Sequence, residues 1–243
     1  MRPAISTLLT VLFLIGLVGT PLSCNRMGAL PSHTQILPAL LQEPLQGKTD
    51  RPEFSFLYES ERYRVKPVAS YELWGLVVGH NDIGAIWDIY HTAKAVDTKD
   101  LGVVWGKNLA NDEFHKVTYW SGSWTINWSY PAGVTFDHTK IANNHIISDN
   151  AGIRRKVDTV RIGDQIHFKG ILVNYQASSN PDFWRNSSLT RTDTAGTACE
   201  VVFLDSIEVL KAGTPFWYFF FSLCKWFLGI GFLGKLILLF FPD

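Results

Sequence analysis

The chain has 243 residues, of which 47% are apolar and 18% are charged, and its 22 Lys and Arg residues balance its 22 Asp and Glu residues. This balance argues against a nucleic-acid partner, because phosphate binding requires clustered cations. The apolar content excludes a disordered chain, and three cysteines without a Cys-x-x-Cys pair exclude a disulfide-dense scaffold. The composition fits one globular domain with a short membrane-bound remainder, and it indicates no cofactor and no metal.

The first 24 residues have the organisation of a secretory signal. Arg2 is the only charge before an apolar run over residues 4–19, which is shorter than the ~20 residues of a typical spanning helix. We therefore interpret residues 1–24 as a signal peptide or a signal anchor. Cys24 comes soon after the run and is a candidate for the lipid-modified first residue of a bacterial lipoprotein, although Pro21 stands where the usual motif has Leu.

The middle of the chain changes character near residue 67. Residues 25–67 contain five prolines and little periodicity, which predicts an extended arm. Residues 68–211 show strand-like patterns and few helix signals, which predicts a mainly β domain, either a small barrel or a sandwich, with an OB-like barrel among the alternatives. The predicted strands are 71–78, 101–105, 124–130, 165–175 and 199–210, with a hairpin turn at 120–124, a bulge or bend at Gly170, and short helices within 80–95 and over 151–157 after the cap Asp149-Asn150.

The far end of the chain is strongly apolar. Residues 215–241 would form about 40 Å of helix, more than the ~30 Å hydrocarbon core of a bilayer, and Lys235 can snorkel near one end. Lys225 near mid-span costs about 2.5–3.5 kcal/mol, which the summed contributions of the apolar residues outweigh. We predict a transmembrane helix over 215–241. The alternative is a tilted or re-entrant segment with Lys225 at the interface.

Three stretches of sequence, in a fixed order, carry a family resemblance. They are 71–78 (YELWGLVV), 142–147 (ANNHII) with 163–166 (GDQI), and 185–194 (RNSSLTRTDT) with 198–200 (ACE). The chain resembles a family of uncharacterised bacterial proteins with an N-terminal membrane signal, over roughly residues 40–210. The resemblance implies location and domain unity, and no activity.

The same resemblance marks positions at which this chain departs from its relatives. Cys is often found in them at the position of Gly102 and near Ile126, and a bridge between those positions in relatives would be lost here. Gly is usual at the positions of Ala195 or Thr197, so the turn there is expected to differ.

Residues 184–194 are the richest in ligand-binding groups, with two Arg, one Asp and five hydroxyls. Arg offers a planar fork for a carboxylate or phosphate, and hydroxyls can complete such a pocket. The candidate binding residues in this segment are Arg185, Ser187, Ser188, Arg191 and Asp193. The competing interpretation is structural, with Arg191 and Asp193 on one face of a strand and the hydroxyls satisfying a turn.

A second group of candidates comprises His138, Asn144 and His145. The structural interpretation is that Asn-Asn-His is a turn whose side chains bond the backbone. A metal site is less favoured, because the spacing of the two histidines matches no standard pattern. Cys199 is either a nucleophile that uses His145 or His167 as base, or a small buried apolar residue.

Three functions remain open at this point. The first is a membrane-tethered envelope protein that binds or scaffolds without catalysis through the segments 185–193 and 138–145. The second is a hydrolase with His145 as base and Cys199 or Ser188 as nucleophile. The third is a structural subunit of a membrane assembly whose tail packs on partner helices. The predicted partners are the membrane and either a protein or a small anionic ligand.

The expected location follows from the start of the chain. A signal-like start exports the segment that follows it, and a long domain is translocated largely regardless of its own charge. We expect a bacterial inner-membrane protein with its soluble domain in the periplasm and its tail returning inward.

Overall fold

The computed structural model describes residues 2–83, 95–122, 124–193 and 198–240. The chain forms two compact units, one made of residues up to 29 together with those from 214 onwards, and the other of residues 30–213. The helices and strands are α1 (Arg2–Cys24), β1 (Leu45–Gly47), β2 (Phe54–Tyr58), β3 (Glu61–Asp82), β4 (Asp97–Val104), β5 (Thr118–Ser121), β6 (Ile126–Ser129), β7 (Ile141–Ile147), α2 (Ala151–Thr159), β8 (Gln165–Ala177), β9 (Cys199–Lys211) and α3 (Pro215–Phe240), with short 3-10 turns between them.

The first unit is a pair of antiparallel helices, α1 and α3. Both are long and apolar enough to cross a membrane, as the sequence predicts for α3. For α1 the sequence indicated an apolar run shorter than a typical spanning helix, and the helix extends beyond that run to Arg2–Cys24. Arg2 Nη2 donates a hydrogen bond to the carbonyl oxygen of Leu238 at 2.6 Å, and Lys235 Nζ donates to Ser6 Oγ at 2.8 Å. These contacts join the beginning of α1 to the end of α3, so the chain leaves and re-enters this unit at the same end.

Glycines let the two helices approach closely. A Cβ placed on Gly16 would lie 2.7 Å from the Cys224 carbonyl oxygen, and one placed on Gly231 would lie 2.7 Å from Cβ of Phe13. Small residues at such a seam allow the backbone-to-backbone contact that stabilises helix pairs in lipid, where the hydrophobic effect between helices is absent.

The second unit is built on five strands that pair in a closed ring. β3 pairs antiparallel with β4 and β8, β4 pairs antiparallel with β7, β7 pairs parallel with β9, and β9 pairs antiparallel with β8. A closed ring of paired strands is the arrangement of a small barrel rather than a sandwich. The mainly β prediction is therefore confirmed. Five-stranded barrels include the OB architecture, which by itself assigns no function.

The interior of this ring is apolar. Alternate side chains of the ring strands point inward, among them Leu73, Leu101, Val103 and Phe168, and all are fully buried. The largest contribution to the stability of this unit comes from such burial, at about 25 cal/mol per Å² of apolar surface removed from water.

Helix α2 covers the end of the ring at which β4 begins. The Asn150 side chain accepts hydrogen bonds from the backbone N–H groups of Gly152 and Ile153, which confirms the predicted cap. Lys99, at the start of β4, is buried and donates to the carbonyl oxygen of Val160 at 2.9 Å. A cation beside the last carbonyls of a helix is favourable because those groups carry partial negative charge.

The predicted extended arm over residues 25–67 is wrong. Residues 54–58 and the first part of β3 form an antiparallel hairpin, with Phe54 opposite Val65 and Tyr58 opposite Glu61. β1 also pairs with β3, and Leu40 is completely buried. The part of the segment from residue 30 onwards therefore belongs to the β unit.

The remaining strand predictions hold. β3, β4, β8 and β9 are longer than the patterns indicated, whereas β6 is shorter than the predicted 124–130. The hairpin at 120–124 is present between β5 and β6, and the pairing of β8 with β9 shifts register at Gly170. The region 80–95 begins as the end of β3 up to Asp82, and residues 84–94, where a short helix was predicted, lie outside the described part of the chain. Ala195 and Thr197 also lie outside it.

The two positions at which relatives are expected to carry Cys are in contact. A Cβ placed on Gly102 would lie 3.2 Å from Cβ of Ile126, whose side chain covers this glycine from β6. Disulfides join Cβ atoms about 3.5–4.5 Å apart, so a few tenths of an ångström of movement would allow a bridge here.

We therefore expect the double variant Gly102→Cys with Ile126→Cys to form a disulfide. The bridge would raise the free energy of unfolding by about 2–4 kcal/mol, because it constrains the unfolded chain. Thiol titration and thermal unfolding with and without reductant measure both effects. The single variant Gly102→Cys is the matched control and should show neither. Because Cys24, Cys199 and Cys224 are free in the parent chain, five titratable thiols instead of three in the oxidised and unfolded double variant would contradict the contact.

Candidate functional site

A cleft of about 370 Å³ opens beside the parallel strand pair β7 and β9. The hairpin of β5 and β6 forms one wall, to which it contributes the side chains of Trp120 and Trp128. The opposite wall and the floor are formed by Arg191, Cys199 and Glu200, among others. Apolar walls with a few convergent polar groups are typical of small-molecule sites.

The segment that carries Arg191 is held against the ring by its own polar groups. Ser187 accepts a hydrogen bond at Oγ from the backbone N–H of Val201 at 3.0 Å, and its own N–H donates to Asn174 Oδ1 at 3.0 Å. The N–H of Ser188 donates to the carbonyl oxygen of Cys199 at 2.9 Å. These bonds attach residues 187 and 188 to β8 and β9, although neither residue belongs to a strand.

Glu200 and Arg191 form a buried ion pair at the floor of the cleft. Arg191 Nη1 donates to Glu200 Oε1 at 2.6 Å, and Glu200 is 1% exposed. The guanidinium also stacks over the rings of Tyr71 and Trp105, at 5.3 and 5.7 Å from the ring centroids, and Nη2 donates to Gln46 Oε1. Charge, stacking and hydrogen bonding therefore all orient this Arg.

The environment of Glu200 raises its pKa. Burial raises the pKa of Glu200 to about 7, although the Arg191 guanidinium opposes the rise. Among the described residues, Glu200 Oε2 and the hydroxyl of Tyr71 have no hydrogen-bond partner. An unsatisfied buried polar atom is costly, and Glu200 is one of the residues that line the cleft.

His145 lies in a second polar cluster, on the outer side of the ring. His145 Nδ1 is 2.6 Å from Asp100 Oδ1, and both side chains are almost fully buried. Arg185 Nη2 is 2.7 Å from His145 Nε2 and lies over the ring of Trp124. The predicted segments 185–193 and 138–145 therefore meet at this contact.

Two effects of opposite sign act on the pKa of His145. Burial lowers it, and the Asp100 carboxylate raises it above the ordinary value for His. The Arg185 contact opposes protonation, because a guanidinium can only donate and Nε2 must then accept. In the observed arrangement we therefore assign the ring proton to Nδ1, where it is donated to Asp100.

Cys199 is buried beside this cluster. Its thiol donates to the carbonyl oxygen of Trp124 at 3.4 Å and accepts from Asn143 Nδ2 at 3.7 Å, and it contributes to raising the pKa of His145. A thiol in this environment matches the predicted small buried residue better than an activated nucleophile, which needs exposure and an adjacent free base.

Ser188 and Asp193 bond to each other. Ser188 Oγ donates to Asp193 Oδ2 at 2.6 Å and also contacts the carbonyl oxygen of Thr190 at 2.9 Å. The structural alternative placed Arg191 and Asp193 on one face of a strand, and that part of it is wrong, because residues 191–193 belong to a loop. Short-range hydrogen bonds of the Ser188 hydroxyl hold this loop together. Asp193 nevertheless lines the cleft together with Arg191.

The residues of the second predicted group separate in the structure. His138 begins a short 3-10 turn and lines the cleft. Asn144 donates from Nδ2 to the carbonyl oxygen of Leu101 at 3.2 Å, and its Oδ1 has no partner among the described residues. The predicted Asn-Asn-His turn is wrong, since these residues lie in β7, where every residue is buried.

Sequence reasoning missed three contributors to these sites, namely Glu200, Asp100 and Trp120. An acid directly before the apolar run Val201-Val202 was a usable signal for Glu200, because an acid within a buried strand needs a partner. No local signal indicates which cation that partner is.

The described residues contain no group of three or more His, Cys, Asp or Glu side chains placed to hold a metal ion. Comparison with family models, with curated proteins and with solved structures finds no match to this chain. The likeness to a family of bacterial membrane proteins therefore stays a prediction, and the function has to be argued from the site.

Proposed function

We propose that this protein is a membrane-tethered envelope protein whose β unit binds a ligand and performs no catalysis. Support for the tether comes from α1 and α3, which are both long and apolar enough to span a bilayer. Their antiparallel packing lets the whole segment 30–213 emerge from one side of the membrane. We place that side in the periplasm, with the helices in a bacterial inner membrane.

The tether predicts a clear fractionation result. Full-length protein should stay in the membrane pellet after a high-salt and alkaline wash, because both helices transfer more than ten apolar side chains each into hydrocarbon. A chain that lacks residues 1–29 and 214–243 should appear in the supernatant. Full-length protein dispersed in detergent-free buffer after ultracentrifugation would contradict the tether.

We assign ligand binding to the cleft above Glu200 and Arg191. The observation that carries this assignment is the Arg191 guanidinium, which lines the cleft, pairs with Glu200 and is oriented by Tyr71 and Trp105. A guanidinium has five N–H donors, of which Glu200 and Gln46 each receive one in this structure. The remaining donors suit a small anionic group.

The walls of the cleft set the size and polarity of the rest of the ligand. Trp120 is 49% exposed and Trp128 is partly buried, and both residues line the cleft. The volume of about 370 Å³ is at the small end of the range for ligand pockets. A small carboxylate with an aromatic or apolar body fits these walls and the guanidinium together.

Benzoate is a simple probe of this assignment, with neutral benzamide as its matched control. We expect benzoate, and not benzamide, to shift the indole N–H resonances of Trp120 and Trp128 in the full chain in detergent micelles. Trp120→Ala should weaken benzoate binding roughly tenfold, the effect of losing about 1.4 kcal/mol of contact. Lys116→Met removes an exposed cation outside the cleft and should leave binding unchanged. Equal shifts with both probes would contradict an anion site.

A hydrolase is the second candidate, favoured by the placement of Asp100, His145 and Cys199 side by side. Against it, Arg185 occupies the ring nitrogen that would have to accept the proton of the nucleophile. The hydroxyl of Ser188 is likewise engaged with Asp193.

Alkylation of Cys199 separates the two candidates. In a background with Cys24→Ser and Cys224→Ser, we expect iodoacetamide to modify Cys199 at least about a hundredfold more slowly in the native chain than in the unfolded chain, since the thiol is buried. A rate above that of the unfolded chain would favour the hydrolase.

A further inference from the structure

Lys225 lies close to the middle of α3. It is ten residues after Pro215 and fifteen before Phe240, so its Cα is about 4 Å from the helix midpoint at 1.5 Å per residue. In a helix centred on a ~30 Å hydrocarbon core this position is well inside the apolar layer. The four-carbon stem of Lys is too short to carry the ammonium to either surface from there.

The ammonium of Lys225 has no polar partner among the described residues. Lys225 Nζ lies 4.7 Å from the centroid of the Phe221 ring, and the Lys225 side chain is exposed. The two other cations of the helix pair are satisfied, since Lys235 bonds Ser6 and Arg2 bonds the Leu238 carbonyl oxygen. Neither α1 nor α3 contains Asp or Glu. A second copy of this helix pair therefore supplies no counter-charge.

The surface around Lys225 has room for another helix. Gly229 lies one turn further along, and a Cβ placed there would find no heavy atom within 4 Å. Ser222 lies one turn before Lys225 and is exposed. Helix α1 occupies a different side of α3, the one that bears Cys224 and Gly231. Small residues on an uncovered face are the usual sites of close helix approach in membranes.

We propose that the face formed by Ser222, Lys225 and Gly229 docks a transmembrane helix of another protein that carries an Asp or Glu at the depth of Lys225. A charge in hydrocarbon is stabilised chiefly by an opposite charge or by polar backbone, and the described residues offer neither at Lys225. Because Gly229 has no side chain, the backbone of the partner helix can come close enough for a direct carboxylate–ammonium contact. The proposal rests on the membrane-spanning role of α3 proposed above.

Photocross-linking in native membranes tests this proposal. The intact chain carries Phe232→p-benzoylphenylalanine, a position on the same side of α3 two turns beyond Lys225, and the peptide joined to it is identified after irradiation. We expect a peptide from an apolar helix of a different protein that contains Asp or Glu. Adduct yield should fall roughly 3- to 30-fold in Lys225→Leu, the range expected for loss of one interhelical polar contact, and should persist in Lys225→Arg.

Two further variants test whether the adduct yield depends on the face formed by Ser222, Lys225 and Gly229 or on any position of the helix. Gly229→Leu fills the space beside Gly229 while keeping the charge, so it should also lower the adduct yield. Ile230→Ala alters another side of the helix and should leave the yield unchanged. An adduct with a second copy of this chain, an adduct with lipid alone, or a yield that Lys225→Leu does not change would overturn the partner helix while leaving the tether intact. Recovery of the chain outside the membrane fraction would overturn the tether and this proposal with it.

Discussion

Replacing Arg191 by Met should lower the free energy of unfolding by about 3–5 kcal/mol, because Glu200 would then be a buried carboxyl without its counter-charge. Met keeps most of the length of the side chain and its contact with Tyr71 and Trp105, so lost packing is a minor part of the effect. Denaturant unfolding of the full chain in micelles, followed by Trp fluorescence, measures the difference.

The matched control for this prediction is Glu200→Gln. The amide keeps the shape of the side chain and a hydrogen-bond acceptor for Arg191, and it is neutral, so we expect a loss of at most about 1–2 kcal/mol. The double variant should be more stable than Arg191→Met alone, since the uncompensated acid is gone. If Arg191→Met and Glu200→Gln cost the same, the pair is not the reason for the loss.

The same pair makes the stability of the chain depend on pH. Burial holds the pKa of Glu200 at about 7 in the folded chain, above the ordinary value of 4.5. Between these two values the folded chain keeps a proton that the unfolded chain releases, so stability falls as pH rises from about 4.5 to about 7, by about 3 kcal/mol. Glu200→Gln should abolish this fall, and Arg191→Met should extend it above pH 7.

Replacing Asp100 by Ala should have the second-largest effect, a loss of about 3 kcal/mol or more. It leaves the Nδ1–H of His145 buried without an acceptor and removes a negative charge near Arg185. Asp100→Asn keeps an acceptor for Nδ1–H and loses only the charge. The free energy of unfolding of this variant should therefore lie between those of Asp100→Ala and the parent chain. Equal losses for Ala and Asn would show that charge, rather than hydrogen bonding, dominates this cluster.

The strand patterns could be predicted where apolar and polar residues alternate without interruption, as over residues 124–130, which contain β6. The first part of β3 shows the same alternation, with Arg62, Arg64 and Lys66 exposed between buried Tyr63 and Val65. Pro67 hid that signal, because a proline inside a run argues against a central strand. The structure places the register shift of the β3–β8 pair at Pro67, where a missing N–H is tolerated.

The candidate site was predictable in its residues but not in its pairings. Arg185 and His145 are 40 positions apart, and nothing local in the sequence indicates that they bond. Arg191 and Glu200 are only nine apart, yet their pairing depends on the loop between β8 and β9 folding back over the end of the ring. Contacts of this kind are set by the closure of the ring, which is a property of all five strands together.

The glycine seam of α1 and α3 has a consequence for processing of the chain. If a peptidase removed the first helix, the groove at Cys224, Gly231 and Gly234 would be exposed to lipid tails. The small side chains there would leave this groove poorly filled. Retention of α1 avoids this exposed groove. It would give the mature molecule an intact mass that includes residues 2–24.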